Sequence, residues 1–158
     1  MLPLTAYLEE LHAKFLGDAS GEVASYIPEL ARVDPDRFGI CIVMVDGTSY
    51  EVGDTRLRFT IQSMSKPLTY AMALDELGPD VVGQRIGLEP TGDAFNAISL
   101  DPITGRATNA MVNAGAITAA DLIHAAHGDD AVSRLLDGYS KLAGPVSYTH
   151  LTLQTTSR

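Results

Sequence analysis

Ser63-Met64-Ser65-Lys66 sets a hydroxyl and an amine three residues apart. On a helix that spacing puts both on one face, about 60° apart around the axis. A serine hydroxyl is a weak nucleophile until a base takes its proton. A lysine serves as that base only where desolvation or a nearby cation favours the neutral amine. The chemistry offered is serine acyl transfer, with Ser63 attacking and Lys66 accepting the proton. The same residues also read as a helix cap and a solvated side chain, Ser63 covering an open amide and Lys66 standing in water.

Two elements must hold that pair. Residues 58–61 read as a short strand, and the helix after them runs past Pro67 to about Leu77, where Gly78-Pro79 stops it. Proline in the first turn costs no hydrogen bond, because the first amides lack intrahelical partners. The dipoles there favour negative charge developing on a serine. Leu68, Ala71, Met72 and Leu74 give this helix a wide apolar surface suited to an interior position.

Upstream, residues 4–16 are periodic and helical, and residues 21–31 form a second helix or turn region broken by Pro28. Residues 38–46 are apolar on both faces and read as a covered strand. Asp46-Gly47 signals a two-residue hairpin, with residues 48–52 returning. Downstream, residues 81–86 form a short helix. Residues 87–109 make a long irregular connection of the kind that carries function. Residues 113–126 form a helix of small residues, able to pack closely on a neighbour. Residues 129–142 form a last helix with Val132, Leu135, Leu136 and Tyr139 on its apolar side. The polar, threonine-rich stretch 145–158 reads as a non-native or disordered tail on a domain spanning 1–144.

A chain of 158 residues with 46% hydrophobic side chains has the size and composition of one globular domain. Its net charge of −9 argues against nucleic acid or an anionic membrane as partner. No apolar stretch is long enough to span a bilayer, and no basic-then-apolar leader opens the chain, so a cytoplasmic location is expected. Cys41, the single cysteine, fits a reducing compartment and, inside the apolar run 40–45, reads as a buried structural thiol. His124 and His127 lie three apart with Asp121 nearby, but nothing completes a ligand set. They read as a solvated helix end, and no metal is expected.

Four segments in order carry a more specific signal: Tyr26-Ile27-Pro28-Glu29-Leu30-Ala31, Phe59-Thr60-Ile61-Gln62-Ser63-Met64-Ser65-Lys66, Glu89-Pro90-Thr91-Gly92-Asp93-Ala94-Phe95-Asn96, and Asn109-Ala110-Met111-Val112-Asn113-Ala114-Gly115-Ala116-Ile117. Together they resemble the bacterial serine-dependent glutaminases. The resemblance implies an α+β, β-lactamase/transpeptidase-like fold with helices packed on an antiparallel sheet. It also implies hydrolysis of L-glutamine to L-glutamate and ammonia without a cofactor, in a full-length protein that is a homo-oligomer. Ser63 and Lys66 take the catalytic positions, with Ser63 and Asn113 contacting substrate. Asn113 fits equally well as the cap of the helix it begins. Ala110 departs from the proline usual after Asn109.

The family's remaining substrate-binding residues have no counterpart here: a glutamate, a second asparagine, two tyrosines and a Lys-Ser-Gly-like strand. The fold is therefore expected to be incomplete, its C-terminal half missing. Loss of one oxyanion donor alone costs about 2.7–4 kcal/mol in the transition state, so near-inactivity of the 158-residue chain is expected. An apolar strand at 40–45 left without its partners favours aggregation. Two other readings stand beside this one: a penicillin-recognising serine hydrolase sharing the S-x-x-K pair, and a non-catalytic glutamine-binding fragment.

Overall fold

Asp46-Gly47 turns the chain back on itself. Gly47 takes φ 86°, the Asp46 carboxylate accepts the Thr48 N–H at 2.9 Å, and the Thr48 carbonyl accepts the Met44 N–H at 2.9 Å. The turn joins two antiparallel strands, β1 (Gly39–Val43) and β2 (Ser49–Gly53), with Gly39 opposite Gly53 and Val43 opposite Ser49. A helix, α1 (Leu4–Phe15), packs on this pair with Leu8 buried. The His12 ring stacks on Phe38 at 5.0 Å and its Nε2 lies 3.2 Å from the Phe38 carbonyl. This is a computed structural model; it describes residues 3–92, 94 and 97–143, in two compact units that divide between residues 60 and 61. The helix and hairpin make up the first unit.

Three expectations for this unit are corrected. The strand at 38–46 is not covered on both faces: burial alternates along β1, with Ile40 and Ile42 half-buried and Gly39, Cys41 and Val43 exposed. Period-two geometry thus sends Cys41 to the outer face, 3.8 Å from the Ser49 hydroxyl, and not into a core. Residues 58–61 form no strand, because the sheet described has only β1 and β2 and offers them no partner. The turn alternative for the region 21–31 holds, with a short 3-10 helix at Leu30–Arg32.

The second unit is helical. A 3-10 turn, Gln62–Met64, leads into α2 (Ser65–Leu77). Gly78 at φ 80° ends α2 and starts α3 (Pro79–Arg85), with proline in the position where no amide hydrogen is needed. The long connection after α3 is pinned by isolated bridges, Ile86 with Ala107, Leu88 with Asn109, and Leu100 with Ala107. It delivers α4 (Asn113–His127), and a short turn then leads to α5 (Ala131–Ala143). Val82, Ile86, Ala73 and Ile123, all essentially without exposed surface, centre the core that α2, α3, α4 and α5 share.

The expected apolar side of α5 holds except at Val132, with Ala131 and Gly138 added to it. Ala131, Gly138 and Tyr139 are buried, Leu135 and Leu136 are half-buried, and Val132 is exposed. Gly138 is buried against α2, where Met72 occupies the space that a Cβ there would take. His127 is not a solvated helix end. Its Nε2 lies 2.6 Å from a Glu76 oxygen, and Arg134 holds the other oxygen of the same carboxylate, so one acid of α2 ties α4 and α5. His124 turns instead to the Gly128 carbonyl, and Asp121 pairs with Arg85. Among the described residues no three metal-ligating side chains cluster, and no helix is long and apolar enough to cross a membrane. Asp93, Phe95 and Asn96 of the third signature segment, and the stretch 145–158 read as a tail, lie outside the described residues.

The hairpin carries an acid-sensitive knot. Glu51 accepts hydrogen bonds from Ser49 at 2.7 Å, Thr55 at 2.9 Å and Arg56 at 2.7 Å. The Ser49 hydroxyl first, then that of Thr55 and the Arg56 charge, hold its carboxyl below the usual glutamate range. A carboxylate whose pKa is depressed by folding adds stability that is full above its unfolded pKa and lost as pH falls through the folded one. Glu51→Gln is therefore expected to lower the melting temperature at neutral pH. The gap from the parent should close as the medium is acidified below the ordinary glutamate pKa, which melting curves at stepped pH will check.

Candidate active site

Lys66 is the second residue of α2 and is buried, with 8% of its surface exposed. A buried amine must find acceptors for its N–H bonds or lose several kcal/mol, roughly the penalty for an unpaired ion. Two acceptors come from the start of α4. Lys66 Nζ donates to the Met111 carbonyl at 3.1 Å and to Asn113 Oδ1 at 2.7 Å.

That partner segment is itself held in place by Asn109. Its Oδ1 accepts the N–H of Met111 at 2.9 Å and of Val112 at 3.3 Å, and its Nδ2 donates to the Glu89 carbonyl at 3.0 Å. This is an Asx turn, in which a side chain stands in for backbone and orients the two residues that follow. Gly115 lets α4 start there: a Cβ at this position would strike the Asn109 carbonyl oxygen and come within 2.8 Å of Ala110 Cα. Ala110 is buried in the core beneath.

The expectation that Ser63 and Lys66 share one helix needs adjustment. Ser63 lies in the 3-10 turn before α2, and Lys66 in the first turn of α2. The preceding Gln62 has φ 45°, the only positive value for a non-glycine among the described residues. A glutamine in that region costs roughly 1–3 kcal/mol and persists only where its surroundings over-determine it. The strain sits immediately before the exposed Ser63, at the start of the 3-10 turn.

The structure brings Lys66 and Asn113 into direct contact. Ser63 is one turn from Lys66 along the chain and is joined to neither by a hydrogen bond among the described residues. It also speaks against the capping reading of Asn113. The residue before α4, Val112, has no side-chain cap, and the Asn113 side chain turns to Lys66 in place of the helix amides. Reading the sequence missed Gln62 and the structural part played by Asn109. Nothing in a glutamine signals a positive φ, whereas an asparagine four residues before a helix is a recognisable turn former.

Comparison with known proteins shows the family of the chain. The family model described as glutaminase matches residues 21–157. The chain belongs to the glutaminase family. The glutaminase of Nostoc sp. is 46% identical over 156 residues, covering 99% of this chain and 47% of the relative. Glutaminase 2 of Bradyrhizobium diazoefficiens is 49% identical over 142 residues, 90% of this chain and 23% of its own length. A solved structure, Mglu in its tris and glutamate form, superposes with a TM-score of 0.82 at 41% identity, covering 91% of this chain and 32% of that one. The α+β fold expected from the four segments is thus the glutaminase one. The chain spans less than half the length of these relatives.

The packing around the Lys66 partners makes a graded prediction. Gly115→Ala drives a Cβ into fixed backbone, whereas Gly138→Ala meets only the flexible end of Met72. Overpacking costs about 1–3 kcal/mol, with the larger value where nothing can yield. Gly115→Ala should therefore lower the melting temperature more than Gly138→Ala. Equal losses would mean that the Asn109 turn gives way as readily as a methionine side chain.

Proposed function

We propose that this chain supplies the nucleophile, the base and one substrate contact of a glutaminase that hydrolyses L-glutamine to L-glutamate and ammonia. The observation that carries the proposal is the buried Lys66 amine, paired with Asn113 one turn from an exposed serine, in a chain belonging to this family. Ser63 Oγ attacks the side-chain amide carbon as its proton passes to Lys66 Nζ. Lys66 returns that proton to the departing nitrogen, which leaves as ammonia and a γ-glutamyl ester on Ser63. Water, deprotonated by the same amine, then cleaves the ester and frees L-glutamate. With its Oδ1 turned to Lys66, Asn113 has its amide N–H bonds left to donate to an acceptor on the amino-acid substrate. The superposable Mglu was solved in a glutamate form, which suits this product.

A glutamine analogue with a diazoketone in place of the amide should alkylate the nucleophile. Intact-mass and peptide analysis is expected to place one adduct on Ser63, with none in Ser63→Ala. Lys66→Met should slow adduct formation at least about a hundredfold, the lower range for loss of a general base. Labelling of Ser65 or Cys41 in place of Ser63 would overturn the assignment.

A further inference from the structure

Ser65 lies between the proposed nucleophile and its base, and neither step of the chemistry uses it. It is half-buried, and its hydroxyl donates to the Gln62 carbonyl at 2.8 Å. The Ser65 backbone N–H reaches the same carbonyl. Two donors from one residue therefore hold the oxygen of the peptide that links Gln62 to Ser63. In a trans peptide the C=O and N–H point in opposite directions. Fixing that oxygen toward Ser65 fixes the Ser63 N–H away from it, out of the start of the helix. Ser63 N–H is one of the first amides of the turn, which lack an intrahelical acceptor. It is also the donor closest in the chain to Ser63 Oγ, well placed for the oxygen of any carbonyl that this hydroxyl attacks. The positive φ of Gln62 makes this a strained turn, of the kind that persists only where surrounding bonds over-determine it.

Ser65 is itself anchored from the core. Thr69 donates its hydroxyl to the Ser65 carbonyl at 2.8 Å, and the buried Tyr139 of α5 bonds to the same Thr69 hydroxyl. Thr69 has one hydroxyl proton and spends it on Ser65, so Tyr139 is the donor of the pair. The relay therefore runs from Tyr139 to Thr69 to the Ser65 carbonyl, and from the Ser65 hydroxyl to Gln62.

We infer that Ser65 is a positioning residue, whose hydroxyl locks the peptide between Gln62 and Ser63 so that the Ser63 N–H stays aimed as an oxyanion donor. The inference rests on Ser63 being the nucleophile and not on which amide is its substrate. A fluorophosphonate therefore makes the first probe, because it needs an activated serine and an oxyanion donor but no glutamine. In the full chain, Ser65→Ala should reduce the maximal labelling rate of Ser63 at least tenfold. The half-saturating reagent concentration and the melting temperature should stay close to the parent values, and Ser65→Thr, which keeps the hydroxyl, should restore the rate. Wild-type labelling rates in Ser65→Ala would overturn the inference, as would a loss that Ser65→Thr does not repair. Absence of labelling in the parent chain would overturn it together with the Ser63 assignment. Labelling by the fluorophosphonate as expected, with Ser63 left unmodified by the diazoketone analogue of glutamine, would leave the role of Ser65 standing and count against the substrate alone.

Discussion

A lysine amine buried at the start of a helix obliges the rest of the unit to supply it with acceptors. Lys66 finds them in Met111 and Asn113, more than forty residues further along the chain. No local segment could do this, because the first turn of α2 has its own carbonyls directed along the helix, towards later amides. The start of α4 must therefore be brought to α2 and kept there. Asn109 shapes the approach and Gly115 allows it, while the small residues of α4 permit contact with α2 at short range. Much of the second unit can be read as the means of meeting this requirement.

Strain and support are distributed along α2 in a consistent way. At its beginning the chain enters through Gln62 in a conformation that glutamine avoids, and hydrogen bonds from Ser65 hold that turn. Near its end Glu76 takes His127 and Arg134 on its two oxygens, joining α4 and α5 to the same helix. Between them Thr69 and Tyr139 are paired in the interior. A helix held at both ends and at its middle can carry a strained turn that would relax on an isolated segment. Ser63, the proposed nucleophile, is constrained in this way by residues of the core and of the turn beside it.

Where the sequence was informative, the signal was short in range. The Asp46-Gly47 hairpin, the helix after Ser63, its stop at Gly78-Pro79 and the small-residue helix beginning at Asn113 all follow from turn chemistry and periodicity within a few residues. The S-x-x-K pair was visible for the same reason. Errors arose where burial decides. A run such as 40–45 is apolar in composition, yet strand geometry gives it one half-buried and one exposed face, and Cys41 falls on the exposed one. Residues 58–61 have the composition of a strand but no strand to pair with.

The candidate site divides along the same line. The sequence by itself determined which groups are available: a serine and an amine one turn apart, an asparagine at the start of a helix, and the four ordered segments that point to the family. Only the tertiary structure decided that Asn113 turns to Lys66 and away from the helix amides, and that Lys66 is buried and not solvated. It likewise decided that Gln62 is strained and that Ser65 holds it. The reason is physical. Spacing along the chain sets which side chains share a turn, whereas protonation, orientation and strain depend on acceptors and packing contributed by residues far away in sequence.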